Sequence, residues 1–221
     1  MIDCQSLQWG PLRLPLTPPL ELQLASGSLT ALIGANGCGK SSLLKVFAGL
    51  QKPLAGKLKV AVRPRQIGYL VQQQALDRQF PISLGELVGA GFWNSSLDTA
   101  RRREKLREVL ALWHLEGLEQ RPLAALSGGQ LQRALLARLS LLEAPLLLLD
   151  EPDACLDEPS QELLWQQIRH WHREGRTLVL VCHDLATVRE RVPDCLRIAA
   201  EGCRYGSSAE LIVPRQRLQE A

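Results

Sequence analysis

Two stretches, Leu146–Leu149 and Thr177–Cys182, are continuously apolar apart from the opening threonine, with no polar residue alternating between apolar ones. Such runs suit strands buried on both faces of a parallel sheet. Leu29–Ile33 is a third compact apolar run and ends at Gly34. From Lys40 to Leu50 the period changes, with Leu43, Leu44 and Phe47 at helical spacing and Gly49 near the end. That unit reads as strand, glycine loop, helix. Upstream, "LQWGPLRLPLTPPLELQLASGSLT" alternates apolar and polar residues among prolines, which predicts short antiparallel strands and turns. "QIGYLVQ" at 66–72 is a further strand candidate. From "FPISLGELVGAG" to about 142 the pattern is mostly helical, and "SQELLWQQIRHWHREG" predicts an amphipathic helix closed by glycine.

The expected architecture is therefore α/β with a mainly parallel sheet, an antiparallel β region at the start and a helical insert. The residues following three of the predicted strands are Gly34, Asp150 and His183. Ligands of open α/β sheets gather at the carboxyl ends of the strands, so one site can draw on all three.

Composition narrows the functional classes. The 221 residues are enough for one domain with its own core, and 46% of them are apolar. The net charge of +3 is too small to argue for a nucleic-acid partner. The basic run "ARRREKLRE" has helical spacing and interleaved glutamates, the mark of a solvated helix face. No stretch reaches the ~18 consecutive apolar residues of a membrane span, and "MIDCQSLQWG" lacks a signal-peptide core. A cytosolic protein is expected, reaching a membrane only through a partner. The six cysteines form no C-x-x-C pair, which argues against a zinc knuckle or disulfide framework. The histidines of "HWH" at 170–172 point to different faces of a helix and suit packing or surface roles better than a metal.

"GANGCGKS" at 34–41 fits G-x-x-x-x-G-K-[ST] at every position. Its glycines let backbone N–H groups turn inward on phosphate oxygens, and the helix starting near Lys40 adds its positive end. Lys40 supplies a point charge for the β- and γ-phosphates, and Ser41 Oγ is placed to ligate Mg²⁺. "LLLLDEP" puts two carboxylates at a buried strand end. Alone, that would be an ordinary acidic turn. Beside a phosphate loop, Asp150 reads as the residue orienting the Mg²⁺ shell and Glu151 as the group polarising the attacking water. His183, usually a structural residue type, reads here as reaching the γ-phosphate. "LSGGQ" at 126–130 supplies a second phosphate-shaped turn before a helix.

Taken together, the phosphate loop, "LLLLDEP", "LSGGQLQR", "ACLD" at 154–157 and "HD" at 183–184 resemble the ATPase subunits of ABC transporters, in order and spacing and over essentially the whole chain. The resemblance implies a P-loop NTPase (RecA-like) core at about 1–73 and 144–221, with an inserted helical signature subdomain at about 74–143. It implies ATP and Mg²⁺ as cofactors. Gly34, Ala35, Asn36, Gly37, Cys38, Gly39, Lys40, Ser41 and Ser42 would hold the nucleotide, with Asp150 and Asp157 beside them. Gln72 would sit at the mobile loop that senses Mg²⁺, and Trp9 where an aromatic meets adenine, although a lone Trp near a β-hairpin can equally be core. It further implies a head-to-tail homodimer in which Ser127, Gly128, Gly129 and Gln130 bind the γ-phosphate held by the other subunit. Integral membrane permease subunits would be the partners, at the cytoplasmic face of the membrane. "QQALDRQFPISLGELVGAGFW" and "WHREGRTLVLVCHDLATVRERVPD" are similar to stretches of zinc and manganese importer ATPases. That similarity implies zinc first, with manganese or iron behind it, delivered by an extracytoplasmic metal-binding protein. Cys38, Ser42 and Ala35 depart from the family's more frequent Ala, Thr and Pro, and none of these changes removes a catalytic group.

Overall fold

The structure, a computed structural model, describes residues 1–11, 14–71, 77–93 and 95–213. Two sheets organise it. In the smaller one, β1 (Ile2–Gln8) lies between β2 (Leu20–Leu24) and β4 (Ala55–Val60), with both pairings antiparallel. β2 reads LELQL, and its leucines are buried while Glu21 and Gln23 are exposed, the alternation of a sheet with one wet face.

The larger sheet has the order β5–β6–β7–β3–β8–β9. Its strands are β3 (Leu29–Ile33), β5 (Ile67–Leu70), β6 (Leu146–Asp150), β7 (Thr177–Val181), β8 (Asp194–Ala199) and β9 (Gly202–Ser207). All neighbours are parallel except the β8–β9 hairpin. Every residue of β3, β6 and β7 is buried, which explains their continuous apolar runs. Successive side chains serve opposite cores. Leu146, Leu148, Val179 and Val181 face the core shared with helix α1 (Lys40–Phe47) and the small sheet. Leu147, Leu149, Leu178 and Leu180 face the other core, with Leu164, Ile168 and Trp171 of α5 (Glu158–Arg173). Fully burying each of these leucines contributes about 1.5–3 kcal/mol.

Between β5 and β6 run α2 (Leu84–Gly89), α3 (Thr99–Leu112) and α4 (Gly128–Leu141). The basic run on α3 is almost entirely exposed, as its charge pattern predicts. In α5 the buried Trp171 separates an exposed His170 from a half-buried His172. Past β7 come α6 (Leu185–Arg191) and α7 (Ser208–Leu211).

Three strands have no counterpart in the sequence reading. β4 is a largely exposed strand whose lysines blunt the apolar signal. β8 and β9 mix Asp, Arg and Gly among their apolar residues and take their strand state from pairing. α1 also stops three residues before Leu50, where Ala48 closes the helix and Gly49 takes a left-handed φ of 73°.

Core and surface tryptophans should separate cleanly in denaturant titrations. Trp171→Ala empties a fully packed position and should remove about 3–5 kcal/mol. Trp93 is 82% exposed, and Trp93→Ser should shift stability by less than about 0.5 kcal/mol.

Candidate nucleotide and hydrolytic site

The carboxyl ends of β3, β6 and β7 meet on one edge of the large sheet. From β3 the chain turns through Gly34–Gly39 into α1. Gly39 is the helix N-cap, with φ 94° and ψ 19°. A Cβ there would lie 2.7 Å from Trp9 Nε1 and 2.4 Å from Leu16 Cδ1, so both conformation and space demand glycine. At Gly34 a Cβ would meet the Ile198 carbonyl oxygen at 2.3 Å. The loop is thus pressed against β8 on one side and the Trp9 segment on the other.

Lys40 is buried, and its Nζ folds back to donate to the carbonyls of Gly34 (2.9 Å) and Ala35 (3.0 Å). A cation held by neutral carbonyls at a helix N-terminus is a ready partner for phosphate. Asn36, Gly37, Lys40, Ser41, Glu151 and His183 share one cleft of about 430 Å³, within the size range of small-molecule sites.

Ser41 Oγ donates to Asp150 Oδ1 at 2.9 Å, linking α1 to the last residue of β6. Burial pushes the Asp150 carboxyl above its ordinary value, with the Ser41 hydrogen bond opposing. Serine hydroxyl and carboxylate form an all-oxygen donor pair, the chemistry that suits Mg²⁺. The next residue, Glu151, adopts a left-handed φ of 51°, a conformation costing a non-glycine residue about 1–2 kcal/mol. It aims the carboxylate at β7's end, where His183 Nε2 lies 2.9 Å from Glu151 Oε1. His183 comes two residues after β7, following buried Cys182. Burial and the neighbouring Asp153 push the Cys182 thiol up to about 12, so it stays protonated.

Two residues that the sequence reading did not single out support this edge. Asp153, three residues past Asp150, is raised by burial and stands within 4.0 Å of Cys182 Sγ. Gln132 of α4 is 2% exposed, and its Nε2 donates to the Pro152 carbonyl at 2.8 Å and reaches the Glu151 carbonyl at 3.4 Å. The available signal was an amide among the leucines on the apolar face of a helix.

Lys40, Ser41, Asp150, Glu151 and His183 therefore come together. The Ser127 turn stands elsewhere: none of Ser127–Gln130 lines the described cleft. Ser127 is the N-cap of α4 and accepts from Gln130 N at 3.1 Å, while Gln130 Oε1 accepts from Ser127 N at 3.0 Å. This capping box commits the Gln130 oxygen to the turn. Asp157 caps α5 by accepting from Ser160 N, and the Ser160 hydrogen bonds hold its carboxyl below the ordinary range. Gln72 lies outside the described residues. Trp9 requires a correction. It is fully buried, and its indole N–H donates to the Gly39 carbonyl at 2.9 Å. With both faces packed in the core, it offers no surface for adenine and instead braces the glycine loop.

The family model for ABC transporters matches residues 18–154. The zinc transport system ATP-binding protein TroB of Treponema pallidum is 32% identical over 218 residues, covering 91% of this chain and 80% of TroB. The manganese transport system ATP-binding protein MntB of Listeria monocytogenes is 36% identical over 197 residues, 85% of this chain and 82% of MntB. The sulfate/thiosulfate import protein CysA of Mesorhizobium japonicum reaches 38% over 185 residues, 78% of this chain but 53% of CysA. Among solved structures, the dimeric ATP-binding cassette MJ0796 bound to ADP and Pi shares the fold with a TM-score of 0.81 at 22% identity, over 94% of this chain and 99% of that one.

The buried carboxylate carries a stability signature. A folded-state pKa raised above the unfolded one contributes stability that is full below the unfolded value and lost as pH rises through the folded value. Where it is ionised, Asp150 therefore destabilises the nucleotide-free protein. Asp150→Asn should raise the thermal unfolding midpoint at pH 7, and the gain should shrink as the pH falls into the ordinary carboxylate range. An unchanged or lowered midpoint at pH 7 would contradict this electrostatic account.

Proposed function

Since the chain belongs to the ABC transporter family, we propose that it energises an importer for divalent metal ions, with zinc as the leading cargo and manganese or iron behind it. The protein is an ATPase of the ABC type. The observation that carries the chemistry is the convergence of the Lys40 loop, the Ser41–Asp150 pair and the Glu151–His183 pair on one sheet edge.

Each group has a part to play in hydrolysis. The loop N–H groups and Lys40 bind the phosphates of ATP, with Lys40 exchanging its carbonyl partners for phosphate oxygens. Ser41 and Asp150 would hold Mg²⁺, which when bound offsets phosphate charge; Gln72 is the third proposed ligand. Glu151 orients water in line with the γ-phosphate and accepts its proton. His183, within hydrogen-bond reach of Glu151, steadies that carboxylate and meets the γ-phosphate oxygens.

A second copy of the chain would complete the site. In a head-to-tail homodimer the N–H groups of Gly128 and Gly129 and the Ser127 hydroxyl would cap the γ-phosphate held by the partner, which accounts for a phosphate-shaped turn standing outside the cleft of Lys40 and Glu151. Residues 74–143 would form the helical subdomain, set on a core of residues 1–73 and 144–221. Among the described residues no helix is long and apolar enough to cross a membrane. The proposed place is the cytoplasmic face, beneath permease subunits served by an extracytoplasmic metal-binding protein. Exposed Phe80 and Trp93, in the stretch similar to metal importers, suit contact with such a permease.

The choice of metal rests on TroB and MntB, named for zinc and manganese transport, which match over most of their length. CysA, named for sulfate, matches over half of its own. The test is ATP turnover by the intact transporter in liposomes. Zinc-loaded binding protein should stimulate it several-fold. Stimulation by manganese alone would reassign the cargo, and indifference to every divalent metal would overturn metal import.

A further inference from the structure

The loop after β6 is strained at two points. Glu151 and Cys155 are both non-glycine residues in left-handed conformation, with φ of 51° and 62°. Helix α4 touches the carbonyls of these same residues. Gln132 Nε2 reaches the Glu151 carbonyl at 3.4 Å and donates to the next one, Pro152, at 2.8 Å. Gly129, three residues earlier on the same helix face, packs so closely that an added Cβ would lie 3.1 Å from the Cys155 carbonyl oxygen. The first turns of α4 thus lie along the loop at both of its strained points.

The rest of the loop has little of its own to hold that shape. Ala154 N donates to the Glu151 carbonyl at 3.2 Å, and Leu156 N donates to Asp153 at 3.2 Å. Each closes a single turn, and neither reaches the Pro152 carbonyl, which Gln132 holds. A left-handed residue persists only where its surroundings over-determine it. Its ψ sets the direction of its carbonyl, and a buried amide anchored to the carbonyls of 151 and 152 fixes that direction. Without the anchor, Glu151 can relax toward ordinary helical or extended φ. The same rotation swings the side chain away from His183, now 2.9 Å distant.

We propose that Gln132 is a positioning residue for Glu151: by holding the carbonyls of Glu151 and Pro152 it locks the glutamate into the left-handed conformation that aims its carboxylate at His183 and the attacking water. A consequence concerns the two turns of the chain. Ser127 caps α4 five residues before Gln132, and a short helical segment moves as a rigid unit. In the dimer proposed above, on which this consequence rests, engagement of a partner's phosphate at the Ser127 turn is conveyed along α4 to the chain's own Glu151. Each subunit's grip on one nucleotide would then set its readiness to hydrolyse the other.

The test uses full-length protein carrying Gln132→Met, which keeps length and burial but removes the donor, and Gln132→Glu, which sets a carboxylate against two carbonyls. Both should bind ATP within about twofold of wild type. Both should lose turnover by between about 10- and 100-fold, the scale of an ångström-level misplacement. In a Glu151→Gln background, where the side chain being aimed is already disabled, Gln132→Met should change single-turnover hydrolysis less than twofold. That non-additivity separates positioning from general packing, because a packing defect lowers both backgrounds alike. Wild-type turnover in both variants, an equal fractional loss in both backgrounds, or a loss of ATP affinity would each overturn the proposal. Failure of the wild-type chain to hydrolyse ATP would instead sink the functional reading beneath it.

Discussion

The hydrogen bond from Ser41 to Asp150 ties together parts of the chain 109 residues apart. Ser41 belongs to the helix that follows β3, and Asp150 is the last residue of β6. These strands are not neighbours, because β7 lies between them. The bond therefore bridges the end of β7, where His183 emerges, and brings three strand ends into a single site. Its acceptor is a buried carboxylate raised above its ordinary value. The fold thus carries an electrostatic cost at the point where the proposed phosphate and Mg²⁺ chemistry lies, a common trade between stability and function. The apolar runs of β3, β6 and β7 support it by burying both faces of the sheet, which fixes the register in which the three ends stand level.

Much of this was legible in the residues. The doubly buried strands show as apolar runs, and the glycine loop, its lysine and the acidic strand end are each written in a few consecutive residues. The parts that were not legible depend on contacts made at long range. β4, β8 and β9 become strands through pairing, and their own sequences are too mixed in polarity to declare it. Trp9 next to a turn can stack on a ligand or fill a core, and only packing against Gly39 and Leu16 decides for the core. Gln132 looks like one more polar helix residue until α4 is laid against the loop after β6. Glu151 could be named from its place after Asp150, but its left-handed backbone could not.

The Ser127 turn is well formed, with a reciprocal cap, and yet it lines no part of the cleft that holds Lys40 and Glu151. Within a single chain it caps α4 but meets no phosphate in that cleft. The proposed sandwich supplies one, since each turn then closes a partner's site, and the link from α4 to Glu151 gives the arrangement a route for coupling the two sites. The central claim is accordingly that a whole site takes its phosphate loop from one chain and its Ser127 turn from the other.

Mixing two disabled chains measures this directly. Lys40→Ala spoils the phosphate loop and leaves the Ser127 turn intact, whereas Ser127→Arg does the reverse, and each alone should be nearly inactive. In a mixed dimer one site combines both lesions, and the other combines an intact loop with an intact turn. ATP turnover should therefore reappear when the two proteins are combined, rising and then falling as their ratio is varied through one to one. If the mixture stays as inactive as its components while the two chains demonstrably associate, the Ser127 turn does not serve a partner's nucleotide and the account is wrong.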